Sequence, residues 1–260
     1  MKRTIRSATA FLFLALFSYN AYAITWFPAE FTCPIDNEKN TFLVVGSYGS
    51  YIYSYPSKYQ WLFFPHTDSP TFYLCKKCHL ATYMWDFDEL PKDRLPAVRK
   101  VLADVKLAKN YNKQYTEVPV IERLEIMEKV YAVLDKDEEW WEDFYRVKGY
   151  HYGKAGKAAE AAEARKKSLA ILSKWIKDEK DEHPKKIVLY ISGAMKHFLG
   201  DDKGALEDLN KALTVKYQEK DATSEELKNA EENLNDRLKE YIARINSEDK
   251  PRLKDSGDED

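Results

Sequence analysis

The sequence predicts an α+β protein, a small β-rich head followed by an all-α helical repeat domain, and three observations carry that prediction. Aromatic and β-branched runs broken by Gly and Pro fill the first third of the chain. Near Leu95 the composition turns to Glu, Lys, Ala and Leu, with apolar residues every three or four positions. Farther on, small residues recur at one fixed interval, the mark of stacked repeats.

The first element is a leader. Lys2, Arg3 and Arg6 precede the apolar run Ala10 to Phe17, and Ala21-Tyr-Ala23 is a small-x-small cleavage pattern, so residues 1–23 read as a secretory signal. The apolar run is short of the roughly 20 residues a membrane span needs. The expectation is an exported, periplasmic or secreted protein with no stable membrane insertion once the signal is removed. Forty-one basic against 43 acidic side chains leave a net charge of -2, which provides no basic field for nucleic acid.

Residues 24–90 have strand composition: Phe42 to Val45, Tyr51 to Tyr55, Tyr59 to Phe64 and Thr71 to Leu74, separated by Gly46, Gly49, Pro56, Pro65 and Pro70. All three cysteines, Cys33, Cys75 and Cys78, lie in this stretch. Outside the cytoplasm cysteines usually pair, and an odd count leaves either a free thiol or another use. Cys75-Lys-Lys-Cys78 has metal-knuckle spacing, and with Cys33 and Asp36 it offers three thiolates and a carboxylate for a tetrahedral zinc. His79 is a possible replacement for Asp36. It also completes Cys-x-x-Cys-His, the attachment signature of covalent haem, and a thiol-redox pair is a third reading of the same residues.

From about 91 to 246 the chain reads as helices. Ile121, Leu124, Met127, Tyr131 and Leu134 form one apolar stripe, with Met127 expected in the core rather than as a ligand, and Asp137 is placed to cap the next helix. Gly149, Gly156, Ala161 and Leu169 match Gly193, Gly200, Ala205 and Leu213, each pair 44 residues apart, as 149 is from 193. Small residues at these points let two antiparallel helices approach closely, and the second glycine of each set ends the first helix. A last helix starts near Thr223 and runs through Leu227, Leu234, Leu238, Tyr241 and Ile245. Residues 247–260 are charged and poor in apolar anchors, which predicts a disordered tail.

Ile187 to Leu213 resembles a tetratricopeptide repeat, with Lys196 standing where that family usually has an aromatic residue. Its 44-residue spacing exceeds the family's 34, and a longer second helix running through Trp175 toward Pro184 accounts for the excess. Taken with Thr32-Cys-Pro34, Leu74 to Cys78, Ala81, Tyr83 and Asp86-Phe87, the whole is similar to an uncharacterised bacterial family. In that family a zinc-ribbon-like head with two Cys-x-x-Cys knuckles precedes tetratricopeptide-like helices. Here the first knuckle reads Cys33-Pro-Ile-Asp36, and His79 stands where a glycine is usual.

No Gly-rich phosphate loop, Gly-x-Ser-x-Gly elbow or His-Glu-x-x-His zinc helix occurs in the sequence. The expected role is therefore non-enzymatic: a protein- or peptide-binding module whose repeat helices present a groove, with Tyr145, Lys148, Tyr152, Tyr190 and Lys196 as contact residues and a structural metal or disulfide in the head.

Overall fold

The computed structural model describes residues 24–53, 56–109, 111, 114–178, 183–218, 222–247 and 253. Residues 1–23, where a leader is expected, and nearly all of the charged tail lie outside them. Alternation in Lys39–Ser47 (β2) turns Asn40 and Phe42 inward, and β2 pairs antiparallel with Thr25–Thr32 (β1), from Thr32 opposite Lys39 to Trp26 opposite Val45. Two smaller antiparallel pairs follow: Pro56–Ser57 (β3) with Leu62–Phe63 (β4), and Phe72–Leu74 (β5) with Ala81–Tyr83 (β6).

Two expected strands are replaced by turns. Ser50–Tyr53 is a 3-10 turn, as is Lys58–Gln60, which leaves only Leu62–Phe63 of the run Tyr59 to Phe64 extended. Trp61 sits in the left-handed region at φ 53°, a bend that no regular strand contains. Strand composition marked the right stretch, but Pro56 and Pro65 remove the donors a longer ladder needs.

Seven α-helices follow among the described residues: Leu95–Leu102 (α1), Val120–Tyr131 (α2), Glu138–Lys154 (α3), Ala158–Lys177 (α4), Lys185–Phe198 (α5), Asp202–Thr214 (α6) and Ser224–Ile245 (α7). Their ends follow local chemistry. The Asp137 side chain accepts from Trp140 N at the start of α3, and Thr223 and Glu226 form a reciprocal capping box on α7. Gly156 and Gly200 take φ values of 74° and 96° just past α3 and α5, where only glycine is unstrained.

α3 and α4 pack as one antiparallel pair, and α5 and α6 as another. A side chain on Gly149 would run into Arg165, and one on Gly193 into Leu209 and the Ala205 carbonyl, so both glycines are sites of close helix approach. One apolar core passes from the head into the first helices: Phe42, stacked on Tyr73 at 4.1 Å, and Phe87 pack in one cluster with Leu124, Met127, Tyr131 and Phe144. Met127 is a core residue, as its stripe predicted. A second core gathers Leu172, Trp175, Tyr190, Leu209, Leu234 and Tyr241 around Tyr59 of the head, and Leu253 is buried with them. Each fully buried side chain of this size contributes about 1.5–3 kcal/mol relative to exposure.

Candidate metal centre and head clasp

Two turns with one backbone design bring the cysteines together. In the first, Cys33 N donates to Glu38 O, Asn37 N donates to Cys33 O, and Asn37 takes φ 60°. In the second, Cys75 N donates to Leu80 O, His79 N donates to Cys75 O, and His79 takes φ 61°. Left-handed backbone at the fifth residue of each turn explains why a glycine suits that place and why Asn37 tolerates it. Each turn aims its first and fourth side chains at the same point.

The donor atoms of Cys33, Asp36, Cys75 and Cys78 all lie within 4.8 Å of one another. Cys33 Sγ is 3.5 Å from Cys78 Sγ, and Cys75 Sγ is 3.8 Å from both carboxylate oxygens of Asp36. Tetrahedral zinc–sulfur bonds of about 2.3 Å set their sulfurs about 3.8 Å apart, so these separations match the edges of such a tetrahedron. The residues present fit a zinc ion. His79 is not among the four; its place in the turn is set by its backbone.

The thiols are unpaired as disulfides, and Cys33 and Cys75 are fully buried. Hydrogen bonds from Cys33 and Cys78 pull the Cys75 pKa far down; contact with Cys75 pushes that of Cys33 up, and contacts with Cys33 and then Cys75 push that of Cys78 up. A zinc ion held here would take all three sulfurs as thiolates. Sequence reasoning missed Asn40, whose amide donates to Cys75 Sγ at 3.5 Å and accepts from Lys76 N. A buried polar residue at the inward register of β2 was the available signal. The Lys76–Glu38 ion pair ties one turn to the other, and Arg99 of α1 donates to the Ile35 carbonyl at 2.9 Å.

The expected groove residues separate into two sets. Tyr145, Lys148 and Tyr152 line a cleft of about 300 Å³ between α3 and α4, with Glu160, Glu163 and Lys167 opposite. Lys148 and Lys167 both bond Glu128, and Tyr152 donates to Glu125. Tyr190 does not line a groove: it is 1% exposed, packs on Trp61 and Tyr241, and donates to the Lys58 carbonyl. Lys196 pairs with Asp208 at 2.6 Å.

What lies against Tyr190 is the head's own segment 58–66; its main chain is held from two helices and its side chains from a third. Arg146 of α3 donates to the Trp61 carbonyl at 2.6 Å, His151 Nε2 lies 2.8 Å from the His66 carbonyl, and Tyr190 of α5 reaches the Lys58 carbonyl at 3.0 Å. From α7, Glu240 accepts from Lys58 and Tyr59. Burial works to lower the Arg146 pKa, but Glu142 and Asp143 outweigh it and hold the guanidinium charged. Burial pushes the His151 pKa down to about 3, so its ring is neutral.

The family described as "Uncharacterized protein conserved in bacteria (DUF2225)" matches residues 27–238, spanning head, knuckles and helices, and the chain belongs to that family. No curated protein and no solved structure matches it.

Proposed function

We propose that the chain is an exported, non-enzymatic binding module. Its zinc-ribbon-like head is fixed by a structural zinc on Cys33, Asp36, Cys75 and Cys78, and its tetratricopeptide-like helix pairs take an extended peptide or protein segment. The observation that carries this reading is the treatment of residues 58–66: helices α3 and α5 hold this aromatic segment by three of its main-chain carbonyls, those of Lys58, Trp61 and His66. Donors that satisfy carbonyls along a chain are the means by which a helical surface reads a peptide independently of its side chains. The open cleft at Tyr145, Lys148 and Tyr152 is the surface offered to a partner, with aromatic faces for apolar groups and paired charges at its rim.

Covalent haem draws less support. Attachment needs both thiols and His79 on one open face, whereas the Cys75 sulfur is buried and directed at Asp36 and Cys33. The donor count and the tetrahedral separations favour zinc over a redox pair.

Two measurements test the proposal. Elemental analysis of protein purified without chelator is expected to give about one zinc per chain, absent in Cys75→Ser; stoichiometric iron, or no metal, removes the zinc half. Screening on a random peptide array is expected to yield binders whose affinity falls about tenfold or more in Tyr145→Ser, the loss of one interfacial aromatic anchor. Binding that ignores Tyr145 and Lys148 removes the cleft.

A further inference from the structure

We infer that the open end of the β1–β2 hairpin is a lipid-facing surface, on which the head rests at the membrane–water interface. The chain is 32% charged, yet the 18 residues from Asn40 to Ser57 carry no Asp, Glu, Lys or Arg, and neither do residues 24–29. The hairpin brings these two uncharged stretches together, with Trp26 opposite Val45 and Phe27 opposite Val44. On one face Trp26 and Tyr48 pack on Phe64, with ring centroids 6.1 and 5.7 Å away. On the other the Phe27 ring covers Gly46, where a side chain would collide with it. Phe27 remains 58% exposed and Tyr48 51%.

A surface of Trp, Tyr and Phe without charge is costly in water and matches the headgroup layer, where an apolar ring body and a polar tip are both satisfied. Chain connectivity selects the bilayer as occupant. Residue 23, the end of the apolar, basic-flanked leader, joins Ile24 one residue before β1 begins, so the patch is the part of the fold delivered nearest the membrane during export. No helix among the described residues is long and apolar enough to cross a membrane. This inference does not rest on the peptide cleft or on the metal.

The test is vesicle binding by the exported protein, with its N-terminus fixed by intact mass. With residues 1–23 removed, the protein is expected to co-sediment with phosphatidylethanolamine–phosphatidylglycerol vesicles. Phe27→Ser/Tyr48→Ser is expected to partition about tenfold or more weakly, the effect of withdrawing two half-buried aromatic rings, with an unchanged thermal melt. Trp85→Ser, a change at an exposed aromatic outside the patch, is expected to leave partitioning as it was. In either N-terminal form, lipids brominated on the acyl chain are expected to quench a fluorescence component that Trp26→Phe removes. Absence of vesicle binding, equal binding by the double variant, or no Trp26-dependent quenching overturns the inference. So does self-association abolished by the same two substitutions without lipid binding, which assigns the patch to a second copy of the chain.

Discussion

The two helix pairs, α3–α4 and α5–α6, are one design executed twice with different chemistry. At the 44-residue offset Gly149 and Gly193 lie against Arg165 and Leu209, themselves 44 apart. Glu142 accepts from Ser168 across the first pair, and at the corresponding places Lys186 donates to the Ala212 carbonyl across the second. Arg146 and Tyr190, again equivalent, both donate to carbonyls of the head segment. The frame fixes where a long side chain crosses from helix to helix, while the residue type decides whether the crossing is ionic or apolar. The first pair is wired to the head through polar side chains, with Arg146, Asp143 and Arg165 and the neutral His151 all engaging residues 60–66. The second pair is bound through aromatic and aliphatic packing.

That contrast is most sharply tested at Arg146. Arg146→Met leaves the buried Glu142 without its cation and is expected to cost about 3–5 kcal/mol, read from the urea midpoint. A loss below about 1 kcal/mol would show that the first pair's ionic wiring is dispensable. Next in size is an acid limb. The His151 ring is neutral when folded, with a pKa near 3, whereas the unfolded ring titrates near 6.5. The unfolded chain therefore binds the extra proton, and this stability is complete above the unfolded value and lost as pH falls toward the folded one, by up to about 1.4 kcal/mol per pH unit. His151→Met, which installs the residue found at the equivalent position 195, is expected to flatten that limb; an unchanged pH profile of stability breaks the assignment.

Smaller effects separate the two glycines. Gly193→Ala places a methyl 2.7 Å from Leu209 Cγ and 3.1 Å from the Ala205 carbonyl, so the helices must part. A thermal melt should show about 1–2 kcal/mol of loss after the gain in helix propensity is deducted. Gly149→Ala meets the aliphatic stem of Arg165 and is expected to cost less. Smallest is Tyr190→Phe, which removes one hydrogen bond to the Lys58 carbonyl and should cost about 1 kcal/mol in chemical denaturation.

Much of this frame is legible in the sequence because close approach of two helices demands small residues wherever it occurs. Gly149, Ala161, Gly193 and Ala205 therefore announced the pairs, and the interval between them, without any knowledge of what surrounds them. The Cys-x-x-Asp and Cys-x-x-Cys turns were legible for a similar reason: convergence of the first and fourth side chains is a local property of the turn. The clasp was not legible. Arg146, Tyr190 and His151 meet carbonyls 85 to 132 residues away, and a carbonyl is present at every position whatever the side chain. Tyr190 was for that reason expected on an open groove, where instead it meets the chain's own head. The extent of each strand was hidden too, since the tyrosines between Gly49 and Pro65 suit a turn packed on helices as well as a ladder.

The bond between Tyr59 and Glu240 joins residues 181 apart. Synthesis proceeds from the N-terminus, so the head is complete long before the partner that secures it exists. Until α7 emerges, Lys58 and Tyr59 lack the Glu240 carboxylate, so the last fastening of 58–66 is a non-local step of maturation. A chain that stops short of residue 240 keeps the hold of α3 and α5 on this segment but lacks its last tie, a local mark by which an unfinished copy differs from a finished one.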